Sequence, residues 1–335
     1  MNYFVFHYVE RHQRVIFWKR IPTKIRLLLI ILFLAFIQFV YKKILLHYYR
    51  PETTVVIFYN RVPKCGSSLM NMLLSIVSNG GSSYKFVQSE DYDHFRLSVD
   101  SQNKLRDRLL DLAEQSYQRA LVYERHVHFI NFETKEKVLF YYINQIRDPL
   151  TRVLSNYDYI RYACLKHAAA GACPLASRSL INMTMEECLV SGDPGRCLTP
   201  GYGVSPVIPF FCGQSRICDD NIDHSDQEAA LILAKLNIER HYSFIGILEL
   251  IESSLELLEH TQPSLFGGIY ETYLKTLNSS RIHETPRPYR RPVSQKALRI
   301  LRNLLKYEYE LYYFIRQRFT EQYSRTFHRM PRIDR

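Results

Sequence analysis

The sequence predicts an α/β fold, a parallel sheet with flanking helices, behind an N-terminal transmembrane helix. Three observations carry this. Two long apolar runs, 55–59 and 138–146, each end in a loop that opens into a helical pattern. Strand-like and helix-like segments alternate along the rest of the chain, as they do where crossover helices join parallel strands. One further apolar run, 27–41, fits neither pattern.

That run reads LLLIILFLAFIQFVY, fifteen residues with Gln38 as its one polar member. Residues 44–46 extend it past Lys42 and Lys43, whose stems can snorkel. A bilayer core asks for roughly 20 residues, with about 17 as a lower limit, so the span is short. A cleaved signal peptide is disfavoured because no small-residue cleavage site follows the run. A buried core helix is disfavoured because both flanks are basic. Arg11, Arg14, Lys19, Arg20, Lys24 and Arg26 precede the run, and only Lys42, Lys43 and Arg50 follow it. The excess of positive charge puts the N-terminus in the cytosol, which makes a single-pass type II protein. The expected organisation is a cytosolic basic tail (1–26), a signal anchor (27–46), a short stem (47–54), a lumenal domain (55–328) and a tail (329–335). Short spans sort toward thin membranes of the early secretory pathway, which suggests the Golgi.

The 335 residues are 47% hydrophobic and 23% charged, which excludes a disordered or collagen-like chain. The net charge of +11 is unevenly placed: residues 1–50 carry +8, 281–335 carry +9, and 51–280 carry −6. Two basic ends around a mildly acidic middle give no argument for nucleic acid.

In the body, residues 55–59 (VVIFY) read as a buried strand, and Leu69, Met70, Leu73, Leu74 and Val77 follow at helical spacing. After a polar stretch, a helix is expected near 101–118, a short strand at 121–123 and a long one at 138–146. A helix then starts at Leu150. Residues 165–223 are rich in Cys, Gly and Pro and read as disulfide-pinned loops. A helix at 225–240, a strand at 244–247, a helix at 249–260 and one long helix at 294–320 complete the reading.

The loop after the first strand, RVPKCGSS, has the chemistry of an anion cradle. A Gly/Ser turn at a helix N-terminus presents backbone N–H groups, Ser67 and Ser68 add hydroxyls, and Lys64 adds charge. It is not a Walker loop, since Lys precedes the glycine, so a magnesium-dependent kinase is disfavoured. The loop after the second long strand, IRDPLTRVLS, offers the Arg147 fork and, two turns on, the Ser155 hydroxyl. Two anion-seeking strand ends suggest one ligand with two phosphate-like ends.

Seven cysteines all follow residue 50. Six fall in close sequence pairs, 164/173, 188/197 and 212/218, which suggests loop staples in an oxidising compartment, although six cysteines allow fifteen connectivities. No CxxC or Cys–His spacing supports zinc, and no metal is called for. Cys65 reads as a reduced, partly buried thiol. Asn182 and Asn278 head acceptor sequons on the lumenal side.

PK-x-G-S/T-S after the first strand and R-D-P-x-x-R-x-x-S later resemble the sulfotransferases that use PAPS, 3′-phosphoadenosine 5′-phosphosulfate. YERHVHFINF at 123–132 and IPFFCG at 208–213 resemble the uronosyl 2-O-sulfotransferases of glycosaminoglycan synthesis. The branch acting on chondroitin and dermatan sulfate is nearest and the heparan sulfate branch is next. The likeness runs from about residue 55 to 319.

The resemblance implies the PAPS-dependent, P-loop-like sulfotransferase fold, PAPS as co-substrate, and a proteoglycan glycosaminoglycan chain as partner. It leaves room for a homo-oligomer, as in the trimeric heparan sulfate enzymes. It implies that Lys64 steadies the leaving phosphate, that Cys65, Gly66, Ser67 and Ser68 cradle the 5′-phosphosulfate, and that Arg147 and Ser155 bind the 3′-phosphate. His126 matches the catalytic base, with His128 as a rival. Glu124 stands where the heparan sulfate enzymes carry another histidine, and it takes no catalytic role from the resemblance. Arg61 and Arg161 match basic positions facing the acidic sugar chain. Arg290 and Arg291 fall in a late loop expected to cover the cofactor. Pairs Cys188/Cys197 and Cys212/Cys218 match the family's disulfides, and Cys164/Cys173 is additional. A binding protein that kept this fold and lost catalysis is the rival from another class.

Overall fold

A computed structural model describes residues 22–48, 53–81, 83–91, 95–116, 118–132, 138–166, 173, 175–191, 193–219, 224–277 and 291–332. The chain divides into two units, Met1–Glu52 and Thr53–Arg335.

In the first unit, α1 is Thr23–Tyr48. Its stretch Thr23–Tyr41 has a mean hydropathy of 2.2, is unburied, and is long and apolar enough to cross a membrane. The sequence reading made this span short. The helix as a whole runs for 26 residues, and its apolar stretch for 19, or about 29 Å against a hydrocarbon core of about 30 Å. Lys42 and Lys43 continue the helix past the apolar stretch.

The second unit is built on five parallel strands among the described residues: β1 (Thr54–Asn60), β2 (Tyr84–Gln88), β3 (Ala120–Arg125), β4 (Val138–Ile146) and β5 (Tyr242–Ile247). They lie in the order β2-β3-β1-β4-β5. Val56 to Asn60 are all buried, as expected of a central strand covered on both faces. Tyr59 pairs in register with Glu124 on one side and Ile143 on the other. From β1 the chain runs out to the edge strand β2 and back through β3 on one side, then crosses to β4 on the other. The carboxyl ends of β1 and β4 therefore form a topological switch point, where open α/β sheets bind ligands.

Helix α2 (Ser67–Asn79) follows β1, α3 (Val99–Gln115) precedes β3, and α4 (Pro149–Lys166) follows β4. The edge strand β2 is absent from the sequence reading, since YKFVQ is only half-buried and its pattern is weak. Among the described residues of 165–223 the structure contains α5 (Met185–Ser191), α6 (Ile208–Cys212) and four 3₁₀ turns, where only loops were expected. Composition hid α5: Thr184 accepts from the Glu187 N–H (3.0 Å) and Glu187 accepts from the Thr184 N–H (2.7 Å), a reciprocal capping box. The three disulfides Cys164–Cys173, Cys188–Cys197 and Cys212–Cys218 are formed.

Beyond α7 (His224–His241) and β5 come α8 (Ile251–Thr261), then α9 (Pro263–Phe266) and α10 (Ile269–Leu277), two helices not anticipated. The expected single last helix is two, α11 (Gln295–Leu304) and α12 (Lys306–Phe327), broken at Leu305. The two halves serve different cores. Ala297, Leu301 and Leu305 pack with α4, α5 and the Cys188–Cys197 bridge, whereas Leu311, Ile315 and Phe319 pack under the sheet. A straight rod would not present both faces. Fully buried Arg152 joins these layers: it donates to Ser205 O (2.8 Å) and lies 3.8 Å from Glu308, which accepts from the N–H groups of Val207 (2.8 Å) and Ile208 (3.1 Å).

Candidate active site

The first loop turns on two consecutive features. Lys64 adopts a left-handed backbone (φ 65°), and Gly66 does so again (φ 78°) before α2 begins. Gly66 provides the N-cap with no side-chain cap hydrogen bond, and the first turn of α2 carries no acid. The first N–H groups of this 13-residue helix thus face the mouth of the turn without a capping oxygen, which is the chemistry an anion needs. Ser67 is nearly buried and Ser68 is exposed at the same mouth.

Gly66 also sets how closely the neighbouring strands approach. A Cβ there would lie 2.6 Å from Leu248 Cδ1 and 2.7 Å from Gln145 Nε2. Gly66→Ala is therefore expected to cost about 1–3 kcal/mol, from the left-handed backbone and the overpacking together. Urea unfolding and binding of PAP, the desulfated nucleotide, measure it. Unchanged values for both would dispute the turn's close fit.

The second loop is fastened to the first. Gln145 Nε2, near the end of β4, donates to Cys65 O (2.8 Å). Arg147 follows, with Nε donating to Thr151 Oγ1 (3.0 Å). Asp148 caps the helix through the Thr151 N–H (2.9 Å) and accepts from Tyr309 OH (3.2 Å) on α12. On α4, Ser155 and Tyr159 lie four residues apart and so share a face. The Lys64 ammonium sits 3.9 Å from the Tyr159 ring centroid. Lys64 and the Ser155 face of α4 thus meet, although they come from different strand ends. Cys65 is wholly buried rather than partly so, and burial pushes its thiol up to about 12, so it has no thiolate chemistry and contributes its backbone.

His126 follows β3, on the other side of β1. Its ring is half-buried and Nδ1 lies 3.0 Å from Arg61 O. A carbonyl only accepts, so Nδ1 carries the proton and Nε2 keeps its lone pair. Burial pushes this histidine down to about 3, helped by the nearby Arg61 charge and opposed by the Arg61 carbonyl bond. The ring is therefore neutral near pH 7.

Beneath these loops lies a buried amide network. Asn60 Nδ2 donates to Phe210 O (2.8 Å), and Asn60 Oδ1 accepts from Tyr242 OH (2.8 Å). Asn144 Nδ2 donates to Asn60 O (2.7 Å). The ends of β1, β4 and β5 are thereby fixed to the 208–212 segment. Sequence reasoning missed these residues, yet an Asn at or near the end of each of two apolar strand runs was the signal.

Four expected site residues are placed elsewhere. Arg61 turns inward and forms an ion pair with the fully buried Glu124. Arg161 is buried, lies over the Tyr157 ring (3.2 Å to the centroid), and donates to Met183 O (2.8 Å) and Tyr202 O (3.1 Å). It braces the disulfide layer instead of facing a sugar chain. His128 is buried against Phe95 and Phe210, where a polysaccharide does not reach. Arg291 is exposed and donates to Asn182 O (3.2 Å), on the same disulfide layer. Arg290 and Asn278 lie outside the described residues, and the Asn182 side chain is exposed. Among the described residues, no group of three or more His, Cys, Asp or Glu is arranged to hold a metal.

A parallel sheet whose adjacent strand ends carry two linked loops at a switch point belongs to the class of open α/β folds that take their ligands there. The sequence pattern of the sulfotransferase family matches residues 47–314, and the chain belongs to that family. It is 33% identical over 265 residues to uronyl 2-sulfotransferase of Mus musculus, covering 78% of this chain and 62% of that protein. It is 30% identical over 286 residues to the uronyl 2-sulfotransferase homolog pip of Drosophila melanogaster, covering 81% and 54% respectively. With heparan sulfate 2-O-sulfotransferase hst-2 of Caenorhabditis elegans it shares 26% over 293 residues, 85% of this chain and 84% of that one. The chain thus spans less than two thirds of the length of the uronyl relatives.

Proposed function

We propose that this chain moves the sulfonate group of PAPS to the 2-hydroxyl of a uronic acid residue in a glycosaminoglycan chain, chondroitin or dermatan sulfate first. The observation that carries the reading is the joining of the two strand-end loops through Gln145 and Cys65, with Lys64 brought against α4. One doubly anionic nucleotide fits such a pair of loops. The backbone N–H groups at the start of α2, with Ser67 and Ser68, receive the phosphosulfate end. Arg147 and Ser155 receive the 3′-phosphate.

His126 Nε2 takes the proton of the sugar hydroxyl as that oxygen bonds to sulfur. The S–O bond to the 5′-phosphate breaks in line, and its electron pair stays on the phosphate oxygen, where the Lys64 ammonium offsets the growing charge. The products are a sulfate ester, PAP and a protonated imidazole that releases its proton to solvent. The uronyl acceptor rests on the relatives' names, and the preference for chondroitin or dermatan sulfate on the resemblance of the sequence motifs. α1 and the cysteine pairs support a Golgi membrane protein of type II topology with its catalytic part in the lumen. The experiment is transfer from radiolabelled PAPS to desulfated dermatan, chondroitin and heparan, followed by disaccharide analysis. Label in 2-O-sulfated uronate of dermatan or chondroitin is expected. Label confined to heparan favours a second reading, which the hst-2 relative's name supports. No transfer to any acceptor, with PAP still bound, favours a binding protein.

A further inference from the structure

Glu124 stands where the heparan sulfate resemblance would put a histidine, and the structure gives it a specific setting. It is the penultimate residue of β3, and its side chain is wholly buried. One carboxylate oxygen pairs with Arg61 Nε, and the other accepts from Asn71 Nδ2 (3.1 Å) on α2. Arg61 is held at its other groups too. Its N–H donates to Tyr59 O (2.9 Å) and Arg125 O (3.0 Å), and its carbonyl faces His126 Nδ1 (3.0 Å). Three residues later the same backbone reaches Lys64.

We propose that Glu124 is a positioning residue for His126, acting through Arg61. By neutralising and fixing the Arg61 side chain it holds the carbonyl that sets the imidazole's tautomer and direction. The proposal rests on the reading of His126 as the base.

Two physical arguments support it. A buried ion pair is a poor stability device, since apolar side chains of the same size usually do as well, so its presence is explained better by geometry than by folding. An uncompensated guanidinium beside His126 also resists formation of the imidazolium, and Glu124 supplies the opposite charge in place. Burial pushes the Glu124 carboxyl up to about 7, with Arg61 and the Asn71 hydrogen bond pulling the other way. Those two partners offset only part of the rise, and losing either would push the carboxyl further toward its neutral form.

The test uses the detergent-solubilised full chain. Glu124→Gln keeps the shape and removes the charge. It is expected to lower kcat about tenfold or more, while KM for PAPS and the PAP dissociation constant stay within about twofold. The double variant Arg61→Gln/Glu124→Gln removes both charges, and it is expected to return kcat to within about threefold of the wild type. Ring ¹⁵N shifts of His126 give a readout independent of turnover: a protonated Nδ1 and bare Nε2 in the wild type, and a tautomer mixture in Glu124→Gln. If the wild type sulfates no acceptor, the functional reading fails and the ¹⁵N shifts alone decide the positioning. Unchanged kcat and unchanged shifts in Glu124→Gln overturn the proposal. So does a parallel loss of kcat, PAP affinity and thermal midpoint that the double variant does not relieve. If Glu124→Gln does not fold, the double variant decides: kcat within about threefold of wild type supports the proposal, and a loss of tenfold or more with PAP still bound overturns it.

Discussion

Lys64→Ala is expected to slow sulfonate transfer by about 10²–10³-fold, the usual cost of removing a preorganised charge from the site of a developing oxyanion. The fold should survive. Lys64 is half-exposed in a turn, and its ammonium reaches outward to Tyr159. PAP affinity should fall far less than turnover, because the bridging oxygen gains its full charge only as the S–O bond breaks. Labelled transfer under saturating PAPS, with calorimetry on PAP and a thermal midpoint, separates these quantities. Wild-type turnover in the variant would remove Lys64 from the reaction.

His126→Ala is expected to cost about 10²–10⁴-fold in kcat, the range for loss of a positioned general base. It should leave PAP binding intact, since the ring lies on the far side of β1 from the second loop. The same substitution carries a second, signed expectation. Burial lowers His126 from 6.5 to about 3. Between those values the unfolded chain binds a proton that the folded chain refuses, so acid favours unfolding through this group. His126→Ala should therefore become more stable relative to the wild type as pH is lowered from 6.5 toward 3. Glu124 acts oppositely: raised from 4.5 to about 7, it binds a proton in the folded chain before the unfolded one does. Wild-type stability should then change little between about 4.5 and 6.5 and fall below that. Urea midpoints at a series of pH values test both. A difference between the two proteins that is constant with pH would show that His126 titrates normally.

Much of this was legible in the sequence, and the reasons are physical. β1 and β4 are central strands of a parallel sheet, so both faces are apolar and the runs are continuous. The loops that follow them announce themselves through Gly66 and Arg147. Edge strand β2 stayed hidden because one of its sides faces no neighbour and its residues are mixed. The break at Leu305 could not be read from a pattern, because both halves keep helical spacing and only the switch of buried face divides them. The arginines failed for a related reason. Arg61 and Arg161 look like surface cations in a string of letters. What commits them to the interior is a carboxylate 63 positions away in one case and two carbonyls of a cystine-bound layer in the other. Arg152, which binds three segments together, carried no local signal of burial.

The torsion at Lys64 has a further consequence. A left-handed backbone at a residue with a full side chain costs on the order of 1 kcal/mol, which glycine or, in part, asparagine would avoid. Exchange for glycine would relax this torsion and raise thermal robustness, but it would also release the ammonium held over the Tyr159 ring, so the strain and the charge at this turn come as one package.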